Sequence, residues 1–312
     1  MTKISVALCT YNGEKFIHQQ IDSILNQTLE VDEIVVCDDC STDKTHQILS
    51  DYQKQFPGIF RIYINEKNLR SVKNFEKAIT LCTGDIIFLS DQDDVWENNK
   101  VEVFNTFFTL NKQTDVLCSN GYLIDDINNK LEKYTVWDVP QILKQNRNSI
   151  NYFKVFCTAG NFATGAAMAI RKSFVEKVLP FPLIGGLHHD EWIAIISSEK
   201  NRFDFINDKL FSYRIHSEQQ VGGISYPKDE KSKEKMIQKF DVNREPKSFR
   251  DYKIKFRTLN DKEKKFKEYL QNTPNTTIER LLDYIRTEHI LLKRKIKSEK
   301  PLLSFIFKFL YR

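Results

Sequence analysis

Ile86-Ile87-Phe88-Leu89-Ser90-Asp91-Gln92-Asp93-Asp94 is the stretch that decides the fold. An apolar run ending in Ser90 reads as a buried strand, and three carboxylates follow at its carboxyl end. Runs of this kind belong to parallel sheets covered on both faces. In such sheets ligands bind beyond the carboxyl ends of the strands. Crowded carboxylates repel one another. A hard divalent cation, Mg²⁺ or Mn²⁺, relieves that repulsion and commonly bridges the phosphates of a substrate. The acidic turn therefore points to a diphosphate-bearing substrate. The competing reading is a solvated turn in which Asp94 caps the next helix, since Asp is a common N-cap.

Upstream of this turn the chain alternates strand and helix. Ile4 to Cys9 is a short, largely apolar strand, broken by Asn12-Gly13, after which Ile17, Ile21, Ile24 and Leu25 recur at helical spacing. Glu33 to Cys37 and Arg61 to Ile64 read as further strands, with helices carrying Ile48, Leu49 and Tyr52, and then Val72 to Leu81. The alternation predicts an α/β fold, a mostly parallel sheet wound on both faces. Beyond residue 100 it loosens. Val116 to Cys118, Ala163 to Ile170 and Leu210 to Arg214 read as strands, residues 125–150 as irregular, and a helix starts near His189. From about residue 226 the chain is Lys-rich and helical in texture. The expected division is a domain over 1–225 and a basic, mainly helical region over 226–312.

A chain of 312 residues that is 41% hydrophobic and 12% aromatic can bury a full core and is not disordered. Six scattered cysteines and no apolar leader predict a reduced, cytosolic setting. Cys37 and Cys40 form a C-x-x-C, but no second pair follows at zinc-binding spacing. Charge is uneven. Residues 225–312 carry 24 Lys/Arg against 13 Asp/Glu, whereas residues 1–224 carry 23 against 29. A basic tail of this kind fits an anionic partner, by charge alone either a membrane or nucleic acid. No stretch reaches the roughly 18 apolar residues of a membrane span. Lys293-Arg294-Lys295-Ile296-Lys297 precedes an apolar end rich in Phe, so residues 293–312 suit the interfacial plane of an anionic membrane. The alternative packs Phe305, Phe307 and Leu310 on the protein itself or on a partner subunit.

Six motifs in order resemble glycosyltransferase family 2, whose members have the GT-A nucleotide-sugar fold. They are Val6-Ala7-Leu8-Cys9-Thr10-Tyr11-Asn12-Gly13, Val35-Val36-Cys37-Asp38-Asp39-Cys40-Ser41-Thr42-Asp43, Asn68-Leu69-Arg70-Ser71-Val72-Lys73-Asn74, Phe88-Leu89-Ser90-Asp91-Gln92-Asp93-Asp94, His189-Asp190-Glu191-Trp192 and Tyr213-Arg214-Ile215-His216. The last two resemble the rhamnosyltransferase-like branch. Cys40 stands where the family usually has Gly, and Leu69 replaces a common small residue. The Q-x-x-R-W pattern of processive synthases is absent, which favours addition of a single sugar.

The resemblance implies a role for each position. Thr10 and Tyr11 would approach the nucleobase, Asp38 would accept from the N3–H of uracil or thymine, and Arg70 and Lys73 would reach the diphosphate. Asp93 would ligate the cation, with Asp91 on the ribose or a metal-bound water and Asp94 in support. His216, before the Gly222-Gly223 loop, would ligate the metal or bond the diphosphate. Asp190 would be the general base of an inverting transfer, held ionised by its helix N-terminus. Glu191 is its rival, but neighbouring helical residues point about 100° apart, so only one faces the site. Glu191, Trp192 and His189 would line the acceptor side.

The expected enzyme moves one sugar from a UDP- or dTDP-linked donor, such as dTDP-rhamnose or a UDP-hexose, to a glycan or polyprenol-linked acceptor. It would use Mg²⁺ or Mn²⁺ at the cytoplasmic face of the membrane, with no nucleic-acid partner and with an oligomer compatible with the sequence. A sugar-nucleotide nucleotidyltransferase is the alternative enzyme, but its Gly-rich N-terminal loop is not supplied by Thr10-Tyr11-Asn12-Gly13. A non-catalytic nucleotide-sugar-binding protein is the other alternative, and Asp190 together with the acidic turn argues against it.

Overall fold

The structure, a computed structural model, describes residues 2–145, 149–217, 224–246 and 248–301. The chain divides into two compact units. The first is Met1–Gln141, Phe162–Pro182 and Leu187–Asp229; the second is Ile142–Asn161, Leu183–Gly186 and Glu230–Arg312. Residues 142–161 and 183–186, expected with the front domain, therefore cluster with the helical tail.

In the first unit β1 (Ile4–Thr10), β2 (Glu33–Asp38), β3 (Phe60–Ile64) and β4 (Ile86–Ser90) alternate with α1 (Ile17–Leu25), α2 (Thr45–Gln55) and α3 (Arg70–Leu81). Every residue of β1, β2 and β4 is buried, which is why these strands read as unbroken runs and not as alternating ones. In α1 the buried positions Ile17, Gln20, Ile21 and Ile24 form a single stripe at helical spacing. After β5 (Val95–Trp96) and α4 (Lys100–Leu110) come β6 (Val116–Ile124), β7 (Lys133–Thr135), α5 (Val139–Lys144), α6 (Tyr152–Thr158), β8 (Met168–Arg171), α7 (Lys172–Val178), α8 (His189–Glu199), β9 (Phe203–Arg214) and β10 (Ser225–Pro227). The stretch 125–150, expected to be irregular, thus holds a short strand and a helix.

The main sheet runs β3-β2-β1-β4-β8-β6-β9-β5, and β10 pairs with β7 separately. β1 pairs in parallel with both β2 and β4, and β2 with β3. β8 is reversed between β4 and β6, and β6 is parallel to β9. Two reversals restore the original direction. The carboxyl end of β9 consequently arrives at the same edge as the carboxyl ends of β1, β2 and β4, and the residues entering β8 arrive there too. That edge gathers the acidic turn, Arg214 and Gly165.

The second unit is built on α6 with α9 (Glu230–Phe240), α10 (Phe249–Asn272) and α11 (Thr276–Glu299). Ser248 begins α10 with a reciprocal capping box to Asp251, and the Asn275 side chain caps α11 by accepting from Ile278 N. Three residues join the two long helices, so they run antiparallel: the Tyr252 hydroxyl donates to Glu299 at 2.9 Å and His289 pairs with Glu263 at 2.8 Å. Tyr252, Phe256 and Ile296 are buried between them. Residues 142–161 join this unit because α6 sits against both helices. Lys154 bonds Glu288 at 2.8 Å, and the Phe153 ring lies 4.7 Å from that of Tyr284. Among the described residues no helix is long and apolar enough to cross a membrane. The segment proposed for the membrane surface falls largely on 302–312, outside the described residues.

Candidate active site

Arg214 organises the acidic turn. Its side chain, almost fully buried, donates to Asp93 O at 2.8 Å, Asp125 O at 3.0 Å and Gln19 Oε1 at 2.7 Å, and lies over the Phe16 ring. Its backbone N–H donates to Asp94 Oδ1 at 3.1 Å. Asp94 is therefore an internal strut. Its Oδ2 is buried with no hydrogen-bond partner among the described residues. Lys100, itself buried, acts on Asp94 electrostatically; its ammonium donates to Ala166 O at 2.7 Å and sits 4.2 Å above the Trp96 ring. Burial lowers the Lys100 pKa to about 7, against the pull of Asp94.

Asp93 reaches forward instead. Its Oδ2 is 3.0 Å from His216 Nε2, and the His216 ring packs on Phe16. The Asp91 carboxylate accepts no hydrogen bond from the described residues. Burial, then Asp93 and Asp190, push its pKa up to about 8. Among the described residues no three His, Cys, Asp or Glu groups converge as a ready-made cage. The donor set still fits a hard cation: carboxylate oxygens and one imidazole, with Asp91 short of any positive partner.

The nucleobase edge is built from β1 and β2. Gln92 clamps the backbone of Tyr11 on both sides, accepting from its N–H at 2.7 Å and donating to its carbonyl at 2.9 Å. Tyr11 itself is 43% exposed. Gly13 has no room for a side chain, because a Cβ would stand 2.3 Å from Gln92 Oε1. Asp38 departs from expectation. It is fully buried and accepts from Thr10 Oγ1 at 2.7 Å, Ser41 N at 2.8 Å, Ser41 Oγ at 2.6 Å and His46 Nε2 at 2.5 Å. A carboxylate so fully spent holds the loop in shape and has no lone pair to offer a uracil. Asp39 does similar work next door, accepting from Asn65, Leu69 N and Arg70 N. Cys40, standing where glycine is usual, adopts φ +68°, and Arg70 adopts φ +62°. Each puts a Cβ in the left-handed region at about 1–2 kcal/mol, held there by these hydrogen bonds. Arg70 is exposed, whereas Lys73 spends its ammonium on both oxygens of Glu76 at 2.8 Å.

Asp190 sits in the first turn of α8 at the same edge. One oxygen accepts from Glu191 N at 2.6 Å and the other from Gly165 N at 3.2 Å. The helix terminus was expected to hold it ionised. Burial instead outweighs those two amides, and the pKa is raised to about 6. Two acceptor-side assignments change. The Trp192 indole is buried and donates to Val178 O at 2.8 Å, so it anchors α8 to α7. His189 is buried, stacked 4.0 Å from the Phe75 ring, and burial lowers its pKa to about 3. His189 and Trp192, three residues apart, share one face of α8. Gln92, Lys100, Asp39 and Gly165 had no role in the sequence reading. Gln92 lies inside a quoted motif, but Lys100 and Gly165 carry no local signal.

Gly165, in the turn before β8, lies against α8. A Cβ there would stand 3.0 Å from His189 Nε2 and 3.9 Å from Asp91 Oδ2. Gly165→Ala is expected to cost about 1–3 kcal/mol through overpacking, read as a shifted urea midpoint with unchanged slope. An unaltered midpoint would show that this approach is not tight.

The profile of Glycosyl transferase family 2 matches residues 5–179. An uncharacterized glycosyltransferase of Methanocaldococcus jannaschii is 29% identical over 215 residues, covering 68% of this chain and 70% of the relative. Among solved structures, S. aureus TarS 1-349 in complex with UDP superposes with a TM-score of 0.53 at 18% identity, over 96% of this chain and 91% of that one. The mannosyltransferase PcManGT from Pyrobaculum calidifontis, in complex with GDP-Man and Mn²⁺, gives a TM-score of 0.53 at 13% identity, over 99% and 79%. At such identities the two structures speak for the fold.

Proposed function

The chain belongs to glycosyl transferase family 2, and from that premise we propose that it is an inverting, single-addition glycosyltransferase with Asp190 as general base. The observation that carries this reading is the position of Asp190, held by two backbone amides beside the acidic turn with a pKa near 6. A base of that strength is ionised at neutral pH and still takes a proton readily. In an inverting transfer the acceptor hydroxyl attacks the anomeric carbon opposite the diphosphate. The C1–O bond to the diphosphate breaks as the new one forms, and the hydroxyl proton passes to Asp190. Glu191, one residue along the helix, points elsewhere and suits the acceptor side.

Asp93 and His216 would hold Mg²⁺ or Mn²⁺, with Asp91 near the ribose or a metal-bound water and Asp94 locked behind them. The cation's contribution is to neutralise charge on the leaving diphosphate. Thr10 and Tyr11 would offer the base-facing edge, with Asp38 shaping it from behind, and Arg70, exposed at the start of α3, would reach the diphosphate. Lys73 would have to leave Glu76 to join it. The donor is a UDP- or dTDP-linked sugar, rhamnose or a hexose, and the acceptor a glycan or polyprenol-linked precursor at the inner face of the membrane.

Melting the protein against UDP, dTDP, GDP and CDP, each with Mn²⁺, tests the donor assignment. Ligand at 100 times its Kd stabilises by about 2.7 kcal/mol, so UDP or dTDP should raise Tm by several degrees, and less so in EDTA. Equal shifts from all four, or from none, would refute this base and metal assignment.

A further inference from the structure

The helical unit contains a cavity of about 270 Å³ that has no part in the reading above. We propose that it binds a phosphate group, with an apolar rim suited to the chain of a phosphorylated lipid. Lys154, Lys239, Arg244, Lys255 and Lys295 line it, against only Glu245 and Glu288 among acidic residues. Three of these cations are already matched: Lys154 to Glu288 at 2.8 Å, Lys295 to Glu245 at 2.8 Å and Arg244 to Glu234 at 2.7 Å. Lys255 is different. It is partly buried, its hydrogen bond goes to the carbonyl of Arg244 at 2.8 Å, and among the described residues no carboxylate lies within ion-pair distance. Burial lowers its pKa, with Asp241 the main charge opposing that shift.

An ammonium partly withdrawn from water, with a carbonyl as its hydrogen-bond partner, is favoured when an anion joins it. Phosphate matches such a site because its oxygens accept from several Lys and Arg donors at once. The other wall is apolar. Leu259 is buried, and Leu291 is 51% exposed where it lines the opening, next to Ile290 at 50%. A cationic pocket beside exposed aliphatic side chains fits the two ends of an amphiphile. The shared chemistry is the phosphate, whether it arrives on a lipid or free.

The test titrates the full chain, in EDTA, with inorganic phosphate, farnesyl phosphate and farnesol. EDTA removes any cation-mediated binding at the acidic turn. Both phosphates should bind, farnesyl phosphate the more tightly, and Lys255→Met should weaken both by about tenfold or more, the loss of one charge-assisted bond. Leu291→Asp, a change at an exposed position, should weaken farnesyl phosphate alone. Binding of inorganic phosphate only, still lost in Lys255→Met, would support the site and assign it to a free phosphate. Farnesol binding as well as farnesyl phosphate, or affinities unmoved by Lys255→Met, would overturn the proposal. The nucleotide melting shifts should be the same in Lys255→Met and wild type, so failure here and failure of the transferase reading are separable.

Discussion

Asp190→Asn is expected to lower the transfer rate by about 10²–10⁴-fold, the usual range for loss of a positioned general base. Donor binding should hardly change, because the residue would act on the acceptor. Stability should hold or rise. The Asp190 pKa is raised to about 6 by burial, so the ionised form is the unfavourable one in the folded chain. What this group contributes to stability is complete below the ordinary Asp value and is lost as pH rises through about 6. A neutral Asn escapes that loss. Its amide does place an N–H against one of the two backbone donors, Gly165 N or Glu191 N, which partly offsets the gain. The same pKa sets the pH profile of the wild type. Its rate should climb about tenfold per pH unit below 6 and level off above. A flat profile between pH 5 and 8, or full turnover in Asp190→Asn, would assign the proton to another group.

Arg214→Met should be the most damaging single change to the fold of the site. Three acceptors of the buried guanidinium, Asp93 O, Asp125 O and Gln19 Oε1, lose their donor, and Asp94 loses its neighbouring positive charge. Breaking a buried charged arrangement from one side costs about 3–5 kcal/mol, much of a domain's net stability. Arg214→Lys should recover less than half of this, since a single ammonium cannot reproduce the forked geometry that reaches three acceptors. Urea denaturation measures the loss. Because Asp93 is held through its carbonyl, the stabilisation by Mn²⁺ and nucleotide should fall as well. A variant within about 1 kcal/mol of wild type would show that Arg214 is a bystander.

Much of this arrangement is legible in the chain. Largely apolar runs at Ile4–Thr10 and Ile86–Ser90 announce strands buried on both faces, and their alternation with helices announces a parallel sheet. The acidic turn follows its strand directly, so its place at the carboxyl edge needs no tertiary knowledge. The start of a helix near His189, with Asp190 in its first turn, is legible as well. Orientation was not legible. Asp38 and Asp93 look alike in sequence, each an Asp at a strand end, yet one is enclosed by four donors and the other faces His216.

Local pattern thus determined which segments became strands and helices and which end of the sheet collects the acids, because burial period and strand polarity are properties of the chain itself. Tertiary structure alone decided which of those acids stay open and how strongly each holds its proton. The reversed strand β8 carries Gly165 to the amide contact with Asp190 from 25 residues away, and β9 returns Arg214 to the turn across 121. Desolvation depends on every atom that encloses a carboxylate, and those atoms come from segments with no neighbouring place in the sequence.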